Sequence, residues 1–158
     1  MAFPNPVNEK AARVVAGFVA ALAALTLITR SEALIVVLAV GFLLRVIAGP
    51  KFSPLGQLAT RVIAPRLGDP VLVPGPPKRF AQSVGLATTT IAAIAAIGFG
   101  WTSLAFLLIA VLLVFALLES VIGFCAGCWA FGVLMRLGAI PADTCEACND
   151  IWARRTTV

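Results

Sequence analysis

The chain has 158 residues, 61% of them hydrophobic and 12% charged, with twelve Lys and Arg against seven Asp and Glu; its mean hydropathy is +1.04. Soluble domains carry about a quarter charged residues, so this composition excludes a soluble fold and places the chain in a membrane. The lack of any His or Tyr removes imidazole ligands, His general bases and His-containing triads, and at roughly 20 apolar residues per crossing the length allows about four crossings and no soluble catalytic domain.

Residues 1–10 form a short N-terminal segment. The first predicted helix covers 11–29, with Asn8 as its N-cap and Glu9 in the first turn, where the helix dipole favours a carboxylate. Its apolar run follows Lys10 and Arg13 and resembles a signal peptide, but the T-R-S-E that ends it lacks a small-x-small cleavage pattern, so it reads as a retained anchor. A tight turn at 30–32 leads to a second helix over 33–49, which stops at Pro50 and carries Arg45 near its end. The segment 11–49 is thus a predicted transmembrane hairpin.

Residues 50–79 hold seven of the ten prolines, and Lys51, Arg61, Arg66, Lys78 and Arg79 against Asp69 give a net charge of +4. This density of proline predicts a basic loop with no hidden crossing. Its L-G-Q-L-A-T-R-V-I-A stretch has apolar residues at 55, 58, 62 and 63 and predicts a short helix lying in the interface. Basic charge beside lipid is assigned to anionic headgroups and not to nucleic acid.

A second hairpin is predicted over 80–124. Its first helix, 80–101, is built from small residues, with Ala92, Ala96 and Gly100 at every fourth position; the first helix of the chain offers Ala16, Ala20 and Ala24 likewise. Such stripes are packing faces in lipid, within one chain or between copies of a homo-oligomer. The last crossing starts near residue 103. An unbroken helix to 137 would be about 50 Å long against a hydrocarbon core of about 30 Å, so the crossing should end near Gly123. Its one charge, Glu119, is expected to pair with Arg45, either as a fixed ion pair or as a proton carrier for nearby thiols. The fold class is all-α: an integral membrane protein with four transmembrane helices as two hairpins, and short helices on the cytoplasmic face. Four crossings put eleven of the twelve basic residues on one side, with Arg30 alone on the other. The positive-inside rule makes that side, and both termini, cytoplasmic in the cell's inner (plasma) membrane.

The segment 125–158 carries every cysteine, as Cys125-x-x-Cys128 and Cys145-x-x-Cys148. The spacing C-x2-C-x16-C-x2-C fits a four-cysteine zinc site. In a reducing cytoplasm the same four thiols also suit thiol–disulfide or sulfur-transfer chemistry, and two disulfides remain the third alternative. Arg136, Gly138 and Pro141 predict a helix end; Asp143 with Glu146 predicts a capping box that puts Cys145 in a first turn, where a thiolate is stabilised. Cys125 gains the same advantage if Gly123 or Gly127 breaks the preceding helix. Trp101, Trp129 and Trp152 fit interfacial belts.

P-K-R-F-A-Q-S-V-G at 77–85, a long apolar helix and G-F-C-A-G-C at 123–128 together resemble the small bacterial membrane proteins grouped as domain of unknown function 4395. Pro4-Asn5-Pro6 departs from the Asp-Pro-Asn beginning of that family. The resemblance implies a four-helix membrane protein with a dithiol motif and no named reaction, and marks Arg79, Phe80, Gln82, Cys125 and Cys128 as family-type residues. No nicotinamide, flavin or nucleotide motif is present. The expected function is therefore a membrane thiol protein whose four cysteines exchange electrons or sulfur with a protein partner, thioredoxin-like or a sulfurtransferase. The competing expectation is a non-catalytic subunit of a larger membrane complex in which the same cysteines hold a structural zinc.

Overall fold

The computed structural model describes residues 5–49 and 53–145. The fold is all-α. Helix α1 (Glu9–Thr29) starts at Asn8, whose Oδ1 accepts from the Lys10 N–H at 3.0 Å, with Glu9 in its first turn. It ends at Arg30, which takes a left-handed conformation at φ 53°. Helix α2 (Glu32–Ala48) follows, then α3 (Pro54–Leu58), α4 (Gly75–Ala93), α5 (Thr102–Ile122) and α6 (Ala126–Arg136).

Among the described residues three helical stretches are long and apolar enough to cross a membrane: Glu9–Thr29, Gly75–Gly98 and Thr102–Ile122, of 21, 24 and 21 residues. Helix α2 has 17 residues, about 25 Å at 1.5 Å per residue, and so falls short of a full hydrocarbon thickness of about 30 Å. The principal packing is not between sequence neighbours: α1 lies mainly against α5, and α2 mainly against α4. Small side chains make these approaches close. Ala16, Ala20 and Ala23 of α1, Ala92, Ala95 and Ala96 of the α4 stretch, and Ala105 and Ala116 of α5 are buried, with Ile35, Ile109 and Phe42 filling the space between. Two expected stripe positions differ. Ala23 takes the buried place foreseen for Ala24, and Gly100 is an exposed turn residue at φ +69°. Most of the large apolar side chains of α5, such as Leu107 and Val114, point outward, as lipid-facing residues do.

The third long helix begins earlier than its sequence suggests. Pro76 and Pro77 stand in the first turn of α4, where backbone N–H groups have no acceptor in the helix, so the prolines forfeit no hydrogen bond. The prolines therefore open α4 and do not delay it, and Lys78 belongs to the helix and not to the loop. The Gly75 N–H donates to Asn5 Oδ1 at 3.0 Å. Just upstream, the two-residue strands β1 (Val7–Asn8) and β2 (Leu72–Val73) pair antiparallel, Val7 with Val73 and Asn8 with Leu72.

Within the loop, α3 runs on through a π turn at Ala59–Ile63 and a 3-10 turn at Ala64–Leu67. The expected interfacial helix is present, but its protein-facing side is made of Gly56, Ala59 and Ala64, while Leu58 and Val62 face out. Small residues let it lie flat against α1, and the large ones turn toward the interface. Lys10 Nζ donates to the Leu67 carbonyl at 2.9 Å and ties the end of this segment to the start of α1.

Candidate functional site

The site lies where α5 ends and α6 begins. Gly123 takes φ +73°, its N–H donates to the Glu119 carbonyl at 3.1 Å, and Phe124 N–H reaches the Leu118 carbonyl at 3.2 Å. A left-handed glycine of this kind ends a helix. The last carbonyls of α5 are covered from α1: Arg13 Nη2 donates to Val121 O at 2.7 Å, and Arg13 Nε and Nη2 each donate to Ser120 O at 3.2 Å. A guanidinium is well suited to the negative end of a helix.

Because Gly123 breaks the helix, Cys125 becomes the N-cap of α6. Its backbone is extended, and its Sγ accepts from the Cys128 N–H at 3.4 Å. Cys128 lies in the first turn, and both thiols are free and half-buried. The Cys125 thiol is pulled below its ordinary range, chiefly by the hydrogen bond from the Cys128 side chain and further by the Lys78 ammonium and the Cys128 backbone N–H, against the opposing effects of burial and Glu119. The Cys128 thiol is pushed far up, first because it gives that hydrogen bond and then by burial. One thiol is thus prepared as the nucleophile and the other holds its proton. Substoichiometric N-ethylmaleimide at neutral pH is expected to label Cys125 at least about tenfold faster than Cys128. Its rate should plateau at a lower pH than that of a free thiol near 8.5 and fall as acid protonates the thiolate. Peptide mass spectrometry after timed labelling checks this; equal labelling of both positions would contradict the asymmetry.

The sequence pointed to Arg45 as the partner of Glu119; the structure gives a different one. Lys78 Nζ lies 2.8 Å from Glu119 Oε1, with side chains 9% and 16% exposed. Arg45 donates from Nε to Gln82 Oε1 at 2.9 Å, and its guanidinium carbon sits 4.4 Å from the centre of the Phe42 ring. Lys78 was missed because a proline-rich stretch reads as loop. The signal that finds it is the Pro-Pro pair itself, taken as a helix opening followed by apolar residues at 80, 81 and 84.

Each residue of the 78–82 run except Arg79, which is exposed on α4, has a structural task at this site. Phe80 meets Phe131 of α6 with ring centres 5.7 Å apart, tilted by 59°. Ala81 lies directly under Gly127, where an added Cβ would stand 2.5 Å from the alanine Cβ and 2.6 Å from its Cα. Gln82 holds Arg45. Helix α4 is therefore the platform on which α6 and its two thiols are mounted. Beside them a cleft of about 560 Å³ is lined by Gln82, Glu119, Cys125 and Trp129 at one end and by Thr88 and Val111 at the other.

A family model described as domain of unknown function (DUF4395) matches residues 7–136. The chain belongs to this family. The DUF4395 match thus takes in α1 through α6 and the first cysteine pair, and stops before the second. No curated protein and no solved structure matches the chain.

Cys145 lies outside the DUF4395 segment, at the end of a 3-10 turn, Ala142–Cys145, that reaches back to α4. It is buried and disulfide-bonded. The expected end of α6 is present, with Arg136 in the last turn and Gly138 at φ +75°. Cys148, Glu146 and Trp152, and with them half of the expected capping box, lie outside the described residues. Among the described residues no group of three or more Cys, Asp or Glu side chains is placed to hold a metal ion.

Proposed function

We propose that this DUF4395 chain is a multi-pass membrane thiol protein in which Cys125 attacks a disulfide of a protein partner and Cys128 resolves the mixed disulfide. The observation that carries this reading is the placement of Cys125 Sγ as the N-cap of α6, hydrogen-bonded by Cys128 and neighboured by the buried Lys78. A thiolate is the form that attacks sulfur, and helix N-termini and nearby cations stabilise it. Sulfane-sulfur transfer would use the same nucleophile.

In this reading α2 is a fourth, short crossing. The end of the bundle bearing Lys10, Arg13, Arg61, Arg66, Arg79 and Arg136 faces the cytoplasm of the inner membrane. Arg30 marks the opposite end, stacked over the Phe106 ring at 5.1 Å.

The test is a trap. The Cys128→Ser protein, in detergent, should accumulate a mixed disulfide through Cys125 when mixed with an oxidised thioredoxin-type protein, and Cys125→Ser should not. A stoichiometric zinc that shields all four thiols from labelling would sink the proposal in favour of a structural metal. Mass-tagging of Cys125 from outside intact cells would reverse the assigned orientation.

A further inference from the structure

Thiol–disulfide exchange runs in both directions, so a partner dithiol can pass its electrons to the Cys125–Cys128 disulfide through the same mixed disulfide. In that direction the pair ends as a dithiol that an oxidant must reset, and the chain offers a place for one. The cleft beside Cys125 is about 560 Å³, within the range of sites for small organic molecules. Its wall runs from Cys125 and Trp129 past Glu119 to Val111, and the eight residues from 119 to 111 span about 12 Å along α5. Phe42, Phe80, Phe115, Phe124 and Trp129 supply flat aromatic faces. Three of its four principal polar side chains, Gln82, Glu119 and Cys125, gather at the thiol end. The fourth, Thr88, turns its hydroxyl to the Val84 carbonyl of its own helix at 2.9 Å. The cleft therefore suits an amphiphile with a flat, polar, reactive ring at the membrane surface and an apolar tail along the helices. An acyl chain alone would leave the polar end unused.

We propose that this cleft binds a membrane quinone, which serves as the two-electron acceptor that oxidises the Cys125–Cys128 dithiol. The inference rests on the thiol–disulfide reading above and names its oxidant. The Cys125 thiolate adds to a ring carbon, forming a C–S bond. Cys128, losing its proton, then attacks the Cys125 sulfur; the S–S bond forms, the C–S bond breaks, and its electron pair stays with the ring. The two protons given up by the thiols complete the hydroquinone, so that two thiols and one quinone become one disulfide and one hydroquinone. Gln82 lies at the thiol end of the cleft, its Oε1 held by Arg45, and its amide N–H groups are the donors for a quinone carbonyl.

The experiment uses the full chain, reduced, in quinone-free lipid nanodiscs, with decylubiquinone as probe. One equivalent of quinone should be reduced per protein, with a Cys125–Cys128 disulfide found by mass spectrometry; the Cys128→Ser protein should stop at a thiolate–quinone adduct. Val111→Trp and Thr88→Phe, made separately to fill the cleft away from the thiols, should slow this oxidation at least tenfold while leaving oxidation by glutathione disulfide in water unchanged. If glutathione disulfide oxidises the pair and decylubiquinone does not, or if both cleft variants keep the full quinone rate, the quinone site is overturned and the thiol reading stands. If neither reagent forms the Cys125–Cys128 disulfide, both fall.

Discussion

Lys78→Met should destabilise the protein by about 3–5 kcal/mol, because it leaves the largely buried Glu119 carboxylate without its partner in a low-dielectric setting. The ammonium and carboxylate meet at 2.8 Å, and no other lysine or arginine forms a salt bridge with Glu119 among the described residues; Arg45 acts on it only through space. The double variant Lys78→Met/Glu119→Gln removes both charges and should recover most of the loss, since an apolar or neutral pair avoids the desolvation that each ion carries alone. Thermal unfolding in detergent, followed by tryptophan fluorescence, reads all three proteins. A double variant no more stable than the single one would mean that Lys78 matters through its packing alone. The thiols report separately. Without the Lys78 ammonium one of the forces holding down the Cys125 thiol is gone, so labelling of Cys125 should slow in the Lys78→Met protein; the double variant also removes the opposing Glu119 carboxylate and should regain the rate.

Gly127→Leu should be the most damaging change in α6. A Cβ there would lie 2.6 Å from the Ala81 Cα, and backbone of a neighbouring helix cannot yield as a side-chain tip does. Overpacking of this kind costs about 1–3 kcal/mol and moves the weaker element. That element is α6, an 11-residue helix held to α4 at this contact and by Phe80 on Phe131. Its displacement takes Cys125 away from Lys78, so the labelling preference for Cys125 over Cys128 should narrow, while the part due to the Cys128 hydrogen bond within α6 stays. Gly132→Leu is the matched control. It lies on the same helix, an added Cβ meets nothing within 4 Å, and replacing a mid-helix glycine should help by a few tenths to about 1 kcal/mol. Equal behaviour of the two leucine variants would remove the close α4–α6 approach from the explanation.

The long apolar runs made the membrane helices legible, and Asn8, Glu9, Arg136 and Gly138 marked their ends correctly because caps are local chemistry. Gly123 was legible too, as one of two glycines able to end the last crossing. The choice between them needed the structure: Gly123 has the left-handed backbone, while Gly127 is present for the contact with Ala81. Pairing was not legible. Both Arg45 and Lys78 are buried cations, and which of them reaches Glu119 depends on how α2, α4 and α5 are rotated about their axes, a property that single-helix periodicity does not contain. The same holds for the neighbours of α1: consecutive helices suggested a hairpin, whereas complementary small-residue faces brought α1 to α5.

That last pairing has a consequence for synthesis. Arg13 emerges among the first residues of the chain, and the carbonyls it caps, those of Ser120 and Val121, are made 107 and 108 residues later. Until α5 arrives, α1 stands in the bilayer with its alanine face bare and its guanidinium in the headgroup layer, where lipid phosphates can stand in for the missing carbonyls. Arrival of α5 supplies those peptide oxygens and covers the face in one step, whereas α2 and α4, both made earlier, have each other to pack against before it.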